Sequence, residues 1–238
     1  MSILSVLYCE IRKVIRSNVF WLTFLVFLIG PLMMGIGIIS AASVDEINWQ
    51  VYLTQLPNTL AALGLIGYTF ISAWVFGREF TDKTIKDLLA KPVSRERIVI
   101  SKFLVILAWD VLLALFMFAV GFAVGAVSGL PGWSAAFVGD TFLRFFITSL
   151  LFIFITTPGA LLANVSKGYL APLGLVLLIV ILSTVLSDMG FASYFPWTIP
   201  ALFQIAGTLN MSSIIILALT GIAGTAGTFA WWRFAEQQ

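Results

Sequence analysis

Residues 19–42 read VFWLTFLVFLIGPLMMGIGIISAA and contain no charged side chain. A helix needs about 20 apolar residues to cross the hydrocarbon core of a bilayer, so this stretch is long enough for one crossing. It is also longer than the roughly 7–15 apolar residues in the core of a secretory signal peptide. We therefore expect an uncleaved first transmembrane span.

Further apolar stretches of similar length follow along the chain. They are residues 58–77, 103–127, 142–163, 169–187 and 211–232. The 238 residues are 61% hydrophobic and only 10% charged, whereas a soluble domain carries about 25% charged residues. The apolar runs are continuous and lack the alternating polarity of a transmembrane β-barrel. The sequence predicts an all-α polytopic membrane protein, with six transmembrane helices in a single domain over residues 1–238.

The positions of lysine and arginine predict the orientation of these spans. If the N-terminus is cytoplasmic and the spans number six, only Arg144 of the 13 basic residues lies outside. Basic residues concentrate in cytoplasmic loops, so this arrangement is favoured. We expect both termini to be cytoplasmic.

The N-terminal residues 1–18 have the pattern of an amphipathic helix. Ile3, Leu7 and Ile11 repeat at helical spacing, while Glu10 and Lys13 lie on the opposite face. We expect this helix to lie on the inner leaflet, with its basic residues near anionic lipid headgroups. The alternative is a simple continuation of the first span.

Residues 188–210 lie between the fifth and sixth spans and carry no charge after Asp188. They could be counted as a seventh span. Pro196 and Pro200 argue against it, because each proline lacks a backbone donor and disrupts a continuous helix. We expect a hairpin of two short helices that re-enters the outer leaflet.

Most of the cytoplasmic charge is concentrated in residues 78–102, between the second and third spans. Thr81 is a suitable N-cap for a short helix over residues 82–90, with Ile85, Leu88 and Leu89 on one face. A helix this short is marginal alone, so we expect it to dock on something. Either a partner protein or the membrane surface could receive its apolar face.

This segment resembles the cytoplasmic loop of the type-2 ABC exporter permeases. The residues that carry the resemblance are Glu79, Thr84, Leu88, Leu89, Pro92, Ser94, Arg95 and Lys102. The resemblance implies that residues 78–102, including Ile85, are a coupling helix seated in a cytoplasmic ABC ATPase. It implies a second, smaller contact at Asn164, Ser166 and Lys167. It further implies two ATPase subunits, a second permease half that is identical or related, and a bacterial plasma membrane.

Nucleotide chemistry is expected on the partner and not on this chain. The sequence contains no GxxxxGK[ST] phosphate-binding loop. ATP and Mg²⁺ would therefore bind to the ATPase subunits, and we expect this chain to be neither an enzyme nor a cofactor carrier. It has no histidine and one cysteine, Cys9, so the usual metal-ligand sets are also missing. A net charge of +2 gives no indication of nucleic-acid binding.

Asp110 is the ionisable residue placed deepest in a predicted span. It lies roughly 12 Å along the helix from Lys102, and a carboxylate at mid-membrane costs about 2.5–3.5 kcal/mol on insertion scales. It could line a wet cavity for cargo. It could equally make a buried interhelical hydrogen bond or reach toward the inner surface.

The spans contain few polar residues, which favours export of an apolar or amphipathic compound such as a drug, a peptide antibiotic or a lipid-like molecule. An ATP-independent transporter or a channel would use several buried ionisable residues, and only Asp110 qualifies. A membrane enzyme would need a converging set of catalytic side chains, which the sequence lacks. A membrane scaffold remains a further alternative.

Overall fold

The computed structural model describes residues 2–40, 47–90 and 92–234, apart from the side chains of Ile39 and Leu89. These residues form α-helices and contain no strand. The helices are α1 (Ile3–Ile15), α2 (Asn18–Ser40), α3 (Trp49–Thr81), α4 (Ile85–Leu89), α5 (Arg95–Val127), α6 (Ala135–Ile155), α7 (Thr157–Val165), α8 (Leu170–Asp188), α9 (Ile199–Ala206) and α10 (Met211–Phe234). A 3-10 helix at Ala192–Tyr194 precedes α9.

Within the described residues, six helical segments are long and apolar enough to cross a membrane. They are α2, α3, α5, the α6–α7 pair, α8 and α10. The prediction of an all-α polytopic protein with six spans is confirmed. The last two residues of the predicted first span, 41 and 42, lie outside the described residues.

Helix α3 is the centre of the bundle, since α2, α5, α6, α7 and α8 all pack against it. In its most apolar stretch 67% of the residues are buried, against 17% for α8. Helices α3 and α5 run antiparallel, because Tyr52 contacts Gly121 near one end and Glu79 contacts Lys102 near the other. We call the end that carries α1, α4 and the α7–α8 turn the basic end.

The second and third spans are longer than the apolar pattern predicts. Helix α3 begins at Trp49 instead of residue 58, since the Asn48 side chain caps it by accepting the Val51 N–H at 2.9 Å. Gln50 and Gln55 make this first part too polar to be recognised as a span. Helix α5 begins at Arg95 instead of residue 103.

The fourth span is broken at Thr156, between α6 and α7. Pro158 has no backbone N–H with which to reach the Phe154 carbonyl. The single O–H of Thr157 is shared between the Phe154 oxygen and the Gly221 oxygen of α10, each 2.9 Å from its Oγ1, and so partly replaces that donor. The break is thereby tied to the last span.

Glycines on α10 let α7 approach closely. A Cβ atom added to Gly224 would overlap the Pro158 backbone, and one added to Gly227 would lie 2.7 Å from Leu161 Cδ2. Small residues commonly allow such close approach between membrane helices. These glycines therefore serve packing within the chain.

The segment between α8 and α10 contains two short helices, as predicted for residues 188–210. The 3-10 helix is followed by α9, which has Pro200 in its first turn and ends at Ala206, with Gly207 as its C-cap at φ of 72°. Proline is tolerated there because the first helical N–H groups have no intrahelical acceptor. Re-entry of this hairpin into the outer leaflet stays a prediction.

Candidate functional site

The charged segment after α3 folds differently from the predicted helix over residues 82–90. Helix α3 continues to Thr81, so Thr81 is not an N-cap. The helix ends in a Schellman motif, in which the Thr84 N–H reaches the Glu79 carbonyl at 2.9 Å and the Lys83 N–H reaches the Phe80 carbonyl at 3.1 Å. Lys83 takes the left-handed conformation, with φ of 57°, that glycine usually supplies. Only the five residues of α4 remain helical after this turn.

The apolar face of α4 is turned into the protein. Ile85 is 6% exposed and Leu88 is 8% exposed, and both belong to the main hydrophobic core. Ile85 and Leu88 therefore pack against this chain's own core instead of offering an apolar face to a partner or to the membrane surface, and a coupling role for them stays a prediction. Lys86 and Asp87 form the exposed face instead. The Leu89 side chain lies outside the described residues.

Lys102 is the centre of a buried polar network at the basic end. Its side chain is fully buried, and its Nζ donates to Glu10 Oε2 at 2.9 Å, Glu79 Oε1 at 2.9 Å and the Val75 carbonyl at 3.0 Å. An ammonium group has three donors, and all three are used. The network thus joins α1, α3 and α5 at one point.

The two carboxylates of the network are also fully hydrogen-bonded. Lys13 Nζ donates to Glu10 Oε1 at 2.7 Å and to Glu79 Oε1 at 3.0 Å. The second oxygen of Glu79 accepts the Thr84 hydroxyl at 2.7 Å. Thr84 precedes α4, so the charged segment is connected through Glu79 to Lys102.

The two carboxylates are matched by two ammonium groups at hydrogen-bonding distance, and Arg78 Nε lies farther out, 4.0 Å from Glu79 Oε1. Burial raises the pKa of Glu10, but Lys102 and Lys13 lower it by more, and the net pKa lies below its usual 4.5. Burial lowers the pKa of Lys13, but Glu10 and Glu79 raise it by more, and the net pKa lies above its usual 10.5. Both groups therefore stay charged at neutral pH.

The resemblance brought together Glu79, Thr84 and Lys102, and in the structure Glu79 accepts hydrogen bonds from both Thr84 and Lys102. Because Glu79 and Lys102 are buried, they cannot touch a partner themselves; they hold the segment in place. Sequence reasoning missed Glu10 and Lys13, which we expected to face solvent and lipid headgroups. Helix α1 instead buries the i, i+4, i+8 stripe of Val6, Glu10 and Val14.

Helix α1 is also a separate element and not a continuation of the first span. The chain turns at Arg16 and Ser17, where the Ser17 hydroxyl accepts the Phe20 N–H at 3.2 Å at the start of α2. Helix α1 packs on α5. Leu4, Ile11 and Ile15 remain exposed, as a helix on a lipid surface requires.

The predicted second contact lies in the turn between α7 and α8. Asn164 is fully buried, donates to the Ala160 carbonyl at 2.7 Å and accepts the Trp232 Nε1–H at 2.9 Å. Asn164 thus holds α7 to α10, and its part in a second contact stays a prediction. Ser166 and Lys167 are exposed.

This turn is a second Schellman motif and lies beside the end of α3. The Gly168 N–H reaches the Ala163 carbonyl at 3.0 Å, and Lys167 has φ of 54°. A Cβ atom on Gly77 would lie 2.8 Å from the Gly168 carbonyl carbon, so only glycine fits there. Lys83 and Lys167 are the two non-glycine residues with positive φ in the described part of the chain.

The remaining predicted residues of the segment lie at the start of α5. Pro92 is exposed, and Ser94 occupies the N-cap position of α5 but makes no capping hydrogen bond. Arg95 Nη1 donates to the Trp232 carbonyl at 3.0 Å and so ties α5 to the end of α10. A cation is well placed there, because helix C-termini carry partial negative charge.

Asp110 lies deep in α5 and is fully buried. Neither carboxylate oxygen has a hydrogen-bond partner among the described residues. This environment is inconsistent with two of the alternatives for Asp110. The carboxyl does not reach the inner surface, and it makes no interhelical hydrogen bond to a described side chain. The carboxyl interacts electrostatically with Tyr68 of α3.

Six apolar spans with a charged, ordered network at one end define a polytopic membrane protein. Residues 6–183 match the ABC-2 family transporter protein family, and the chain belongs to that family. It is an ABC transporter permease. The chain is also 28% identical over 177 residues to the bacitracin transport permease protein BCRB of Bacillus licheniformis. That similarity covers 72% of this chain and 84% of the relative.

Proposed function

We propose that this chain is the membrane half of an exporter driven by ATP that separate subunits hydrolyse. Two cytoplasmic ABC ATPases would bind ATP and Mg²⁺, and a second permease half, identical or related, would complete the pathway. Residues 1–238 would act as one permease domain in a bacterial plasma membrane, with both termini in the cytoplasm. The basic end then faces the ATPases.

The observation that carries this proposal is the connection between Thr84, Glu79 and Lys102. Because Glu79 accepts from both Thr84 and Lys102, a displacement of α4 would be transmitted to α3 and α5 together. Glu10 extends the same connection to α1. Coupling through packed and hydrogen-bonded elements of this kind is how a movement at a surface can reach a distant site.

The surface offered to the ATPase combines the two neighbouring turns at the basic end. Lys83, Lys86 and Asp87 are exposed on the first turn and Lys167 on the second. A groove of about 320 Å³ lies between α1 and α4, with Lys13, Arg78, Asp82 and Asp87 among its lining residues. Charged side chains of both signs suit a polar, exchangeable protein contact.

A charge swap on the exposed face of α4 tests this surface. Lys86→Glu with Asp87→Lys keeps the net charge and leaves the buried residues untouched. Reversed charges at an interface create like-charge contacts, which weaken binding by about 1.4 kcal/mol or more. We therefore expect the amount of ATPase that co-purifies in mild detergent to fall about tenfold or more.

The matched control is the swap Asp140→Arg with Arg144→Asp at the opposite end. These residues form an exposed ion pair at 2.9 Å on α6, so the swap preserves both the pair and the net charge. Co-purification of the ATPase should be unchanged. Equal recovery with both swapped proteins would overturn the proposed surface, and transport without any ATPase would favour an ATP-independent carrier.

The cargo is proposed to be an amphipathic compound of the peptide-antibiotic kind. A groove of about 500 Å³ lies between α3, α8 and the α9 hairpin. Its lining combines Leu65, Phe152 and Leu202 with the hydroxyls of Ser183 and Thr184. Binding sites for small molecules are mostly apolar with a few polar groups, as here. The bacitracin permease relative is consistent with such a cargo.

Filling this groove should impair export. Ala62→Phe places a ring in its wall, whereas Ala123→Phe makes the same change on an exposed face of α5. Cells that express the permease with its ATPase would be tested for resistance to bacitracin and to other amphipathic antibiotics. We expect Ala62→Phe to lower resistance at least fourfold at equal protein level, and Ala123→Phe to leave it unchanged. Equal resistance would exclude the groove as the cargo site.

A further inference from the structure

Asp110 is a buried carboxyl for which the described residues supply no partner. Both of its oxygens are inaccessible and make no hydrogen bond there. The flanking residues on its face of α5, Ile106, Leu113 and Ala114, are buried and apolar. An ionised carboxylate in such surroundings needs a counter-charge or hydrogen-bond donors, which the described residues do not supply.

The charged groups of the neighbouring helices do not reach Asp110. Lys102 lies roughly 12 Å along α5 and already uses all three donors. Helix α2 has no charged side chain between Asn18 and Ser40. Asp140 and Arg144 of α6 pair with each other near its start, Arg233 of α10 lies in its last turn, and Lys13 of α1 binds Glu10 and Glu79.

Oxygen atoms from two other helices lie at the same depth. The contact between Lys102 and the Val75 carbonyl aligns α5 with α3. From that point Tyr68 is roughly 10 Å along α3 and Asp110 roughly 12 Å along α5, in the same direction. The Tyr68 hydroxyl is 2.9 Å from the Ser149 hydroxyl of α6. Of the titratable groups, Tyr68 lies close enough to Asp110 to interact with it electrostatically.

Two more buried hydroxyls in this layer have no described partner. Ser72 lies one turn from Tyr68 on α3, and Thr148 is adjacent to Ser149 on α6. Ser72 Oγ and Thr148 Oγ1 are both inaccessible and make no hydrogen bond in the described part of the chain. The layer between α3, α5 and α6 therefore offers one carboxylate and several hydroxyl oxygens.

We propose that Asp110 is the negative pole of a binding site for one small monovalent cation, with Tyr68 and Ser149 as neutral oxygen ligands. Either Na⁺ or a proton carried by water meets this chemistry, because hard cations prefer oxygen ligands. One carboxylate neutralises one positive charge, and the described residues contain no group of three or more His, Cys, Asp or Glu side chains that a multivalent ion would favour. The site is independent of the contact with the ATPase.

Thermal unfolding of the full chain in lipid nanodiscs tests the site in two series. In the first, NaCl replaces choline chloride at constant ionic strength and pH; in the second, the pH falls from 8 to 6 without Na⁺. A ligand that binds only the folded state raises Tm, so we expect a rise of roughly 3 °C or more in the series that supplies the bound cation. Asp110→Asn should abolish that rise.

Asp140→Asn is the matched control, since it makes the same change at an exposed carboxylate. It should retain the full rise. If Asp110→Asn fails to fold, Tyr68→Phe replaces it, because the ring keeps its stacking on Phe27 at 5.6 Å and loses only the hydroxyl. This variant should lower the apparent cation affinity several-fold. The proposal is overturned if the wild type shows no rise in either series, or if the variants at Asp110 and Tyr68 rise as the wild type does.

Discussion

Replacing Lys102 by methionine is the strongest single perturbation of the network at the basic end. The substitution keeps an unbranched side chain but removes the ammonium group that joins Glu10, Glu79 and the Val75 carbonyl. The two buried carboxylates then keep Lys13 as their one hydrogen-bonded cation among the described residues, with Arg78 4.0 Å from Glu79. Removing one partner of a buried ion pair typically destabilises a protein by about 3–5 kcal/mol. We expect Tm to fall by roughly 6–20 °C.

The charge balance of the network makes a second variant informative. Lys102→Met leaves one negative charge in excess, and Glu10→Gln leaves one positive charge in excess. The double variant restores the balance, with Lys13 and Glu79 still paired at 3.0 Å. The two changes should therefore be non-additive, and the double variant should be more stable than the sum of the single effects by about 0.5–3 kcal/mol.

Unfolding in nanodiscs, followed by tryptophan fluorescence, measures all three variants. Lys86→Met is the control, because it makes the same substitution at an exposed lysine of α4. Its Tm should stay within about 2 °C of the wild type. The reasoning is refuted if Lys102→Met is no less stable than Lys86→Met, or if the effects of Lys102→Met and Glu10→Gln simply add.

Further predictions follow from single residues. The pKa of Glu10 is lowered in the folded protein, so its carboxylate stabilises the fold fully above about pH 4.5 and less as the pH falls below that value. The difference in Tm between the wild type and Glu10→Gln should therefore shrink at low pH. Gly224→Ala should reduce Tm by several degrees because its Cβ would overlap Pro158. Gly174→Ala is the control, since its Cβ would meet no atom within 4 Å and Tm should not change. Equal Tm values for the two variants would contradict the packing argument. Cys9 is exposed on α1, so an impermeant maleimide should label it in inverted membrane vesicles and not in intact cells; labelling in intact cells would reverse the proposed orientation.

The number and approximate position of the spans could be predicted because bilayer thickness imposes a minimum length of apolar sequence. The ends of the helices could not. The first part of α3 contains Gln50 and Gln55, and a hydropathy pattern stops at such residues even when the helix continues. The break at Thr156 is a similar case, since Pro158 indicates a disruption but not that the Thr157 hydroxyl repairs it.

Part of the site was predictable from the resemblance and part was not. Glu79, Thr84 and Lys102 were identified together, and Glu79 is hydrogen-bonded to the other two. Glu10 was misplaced because an amphipathic pattern assigns every charged residue to the polar face, and a charge buried by a specific partner breaks that rule. The i, i+4, i+8 spacing of Val6, Glu10 and Val14 was the available signal. It becomes meaningful only when Lys102, 92 residues away, is known to lie opposite.

The short length of α4 has a physical cause that also bears on its function. A helix of five residues cannot hold its own position in water, since helix nucleation is unfavourable and few hydrogen bonds repay it. The Schellman turn at Lys83 fixes where α4 begins, and the Thr84–Glu79 hydrogen bond fixes its direction. Ile85 and Leu88 then fasten it to the core. Its exposed face is thus held by the spans themselves, so a force applied to Lys86 and Asp87 would act on the bundle without first being absorbed by a flexible loop.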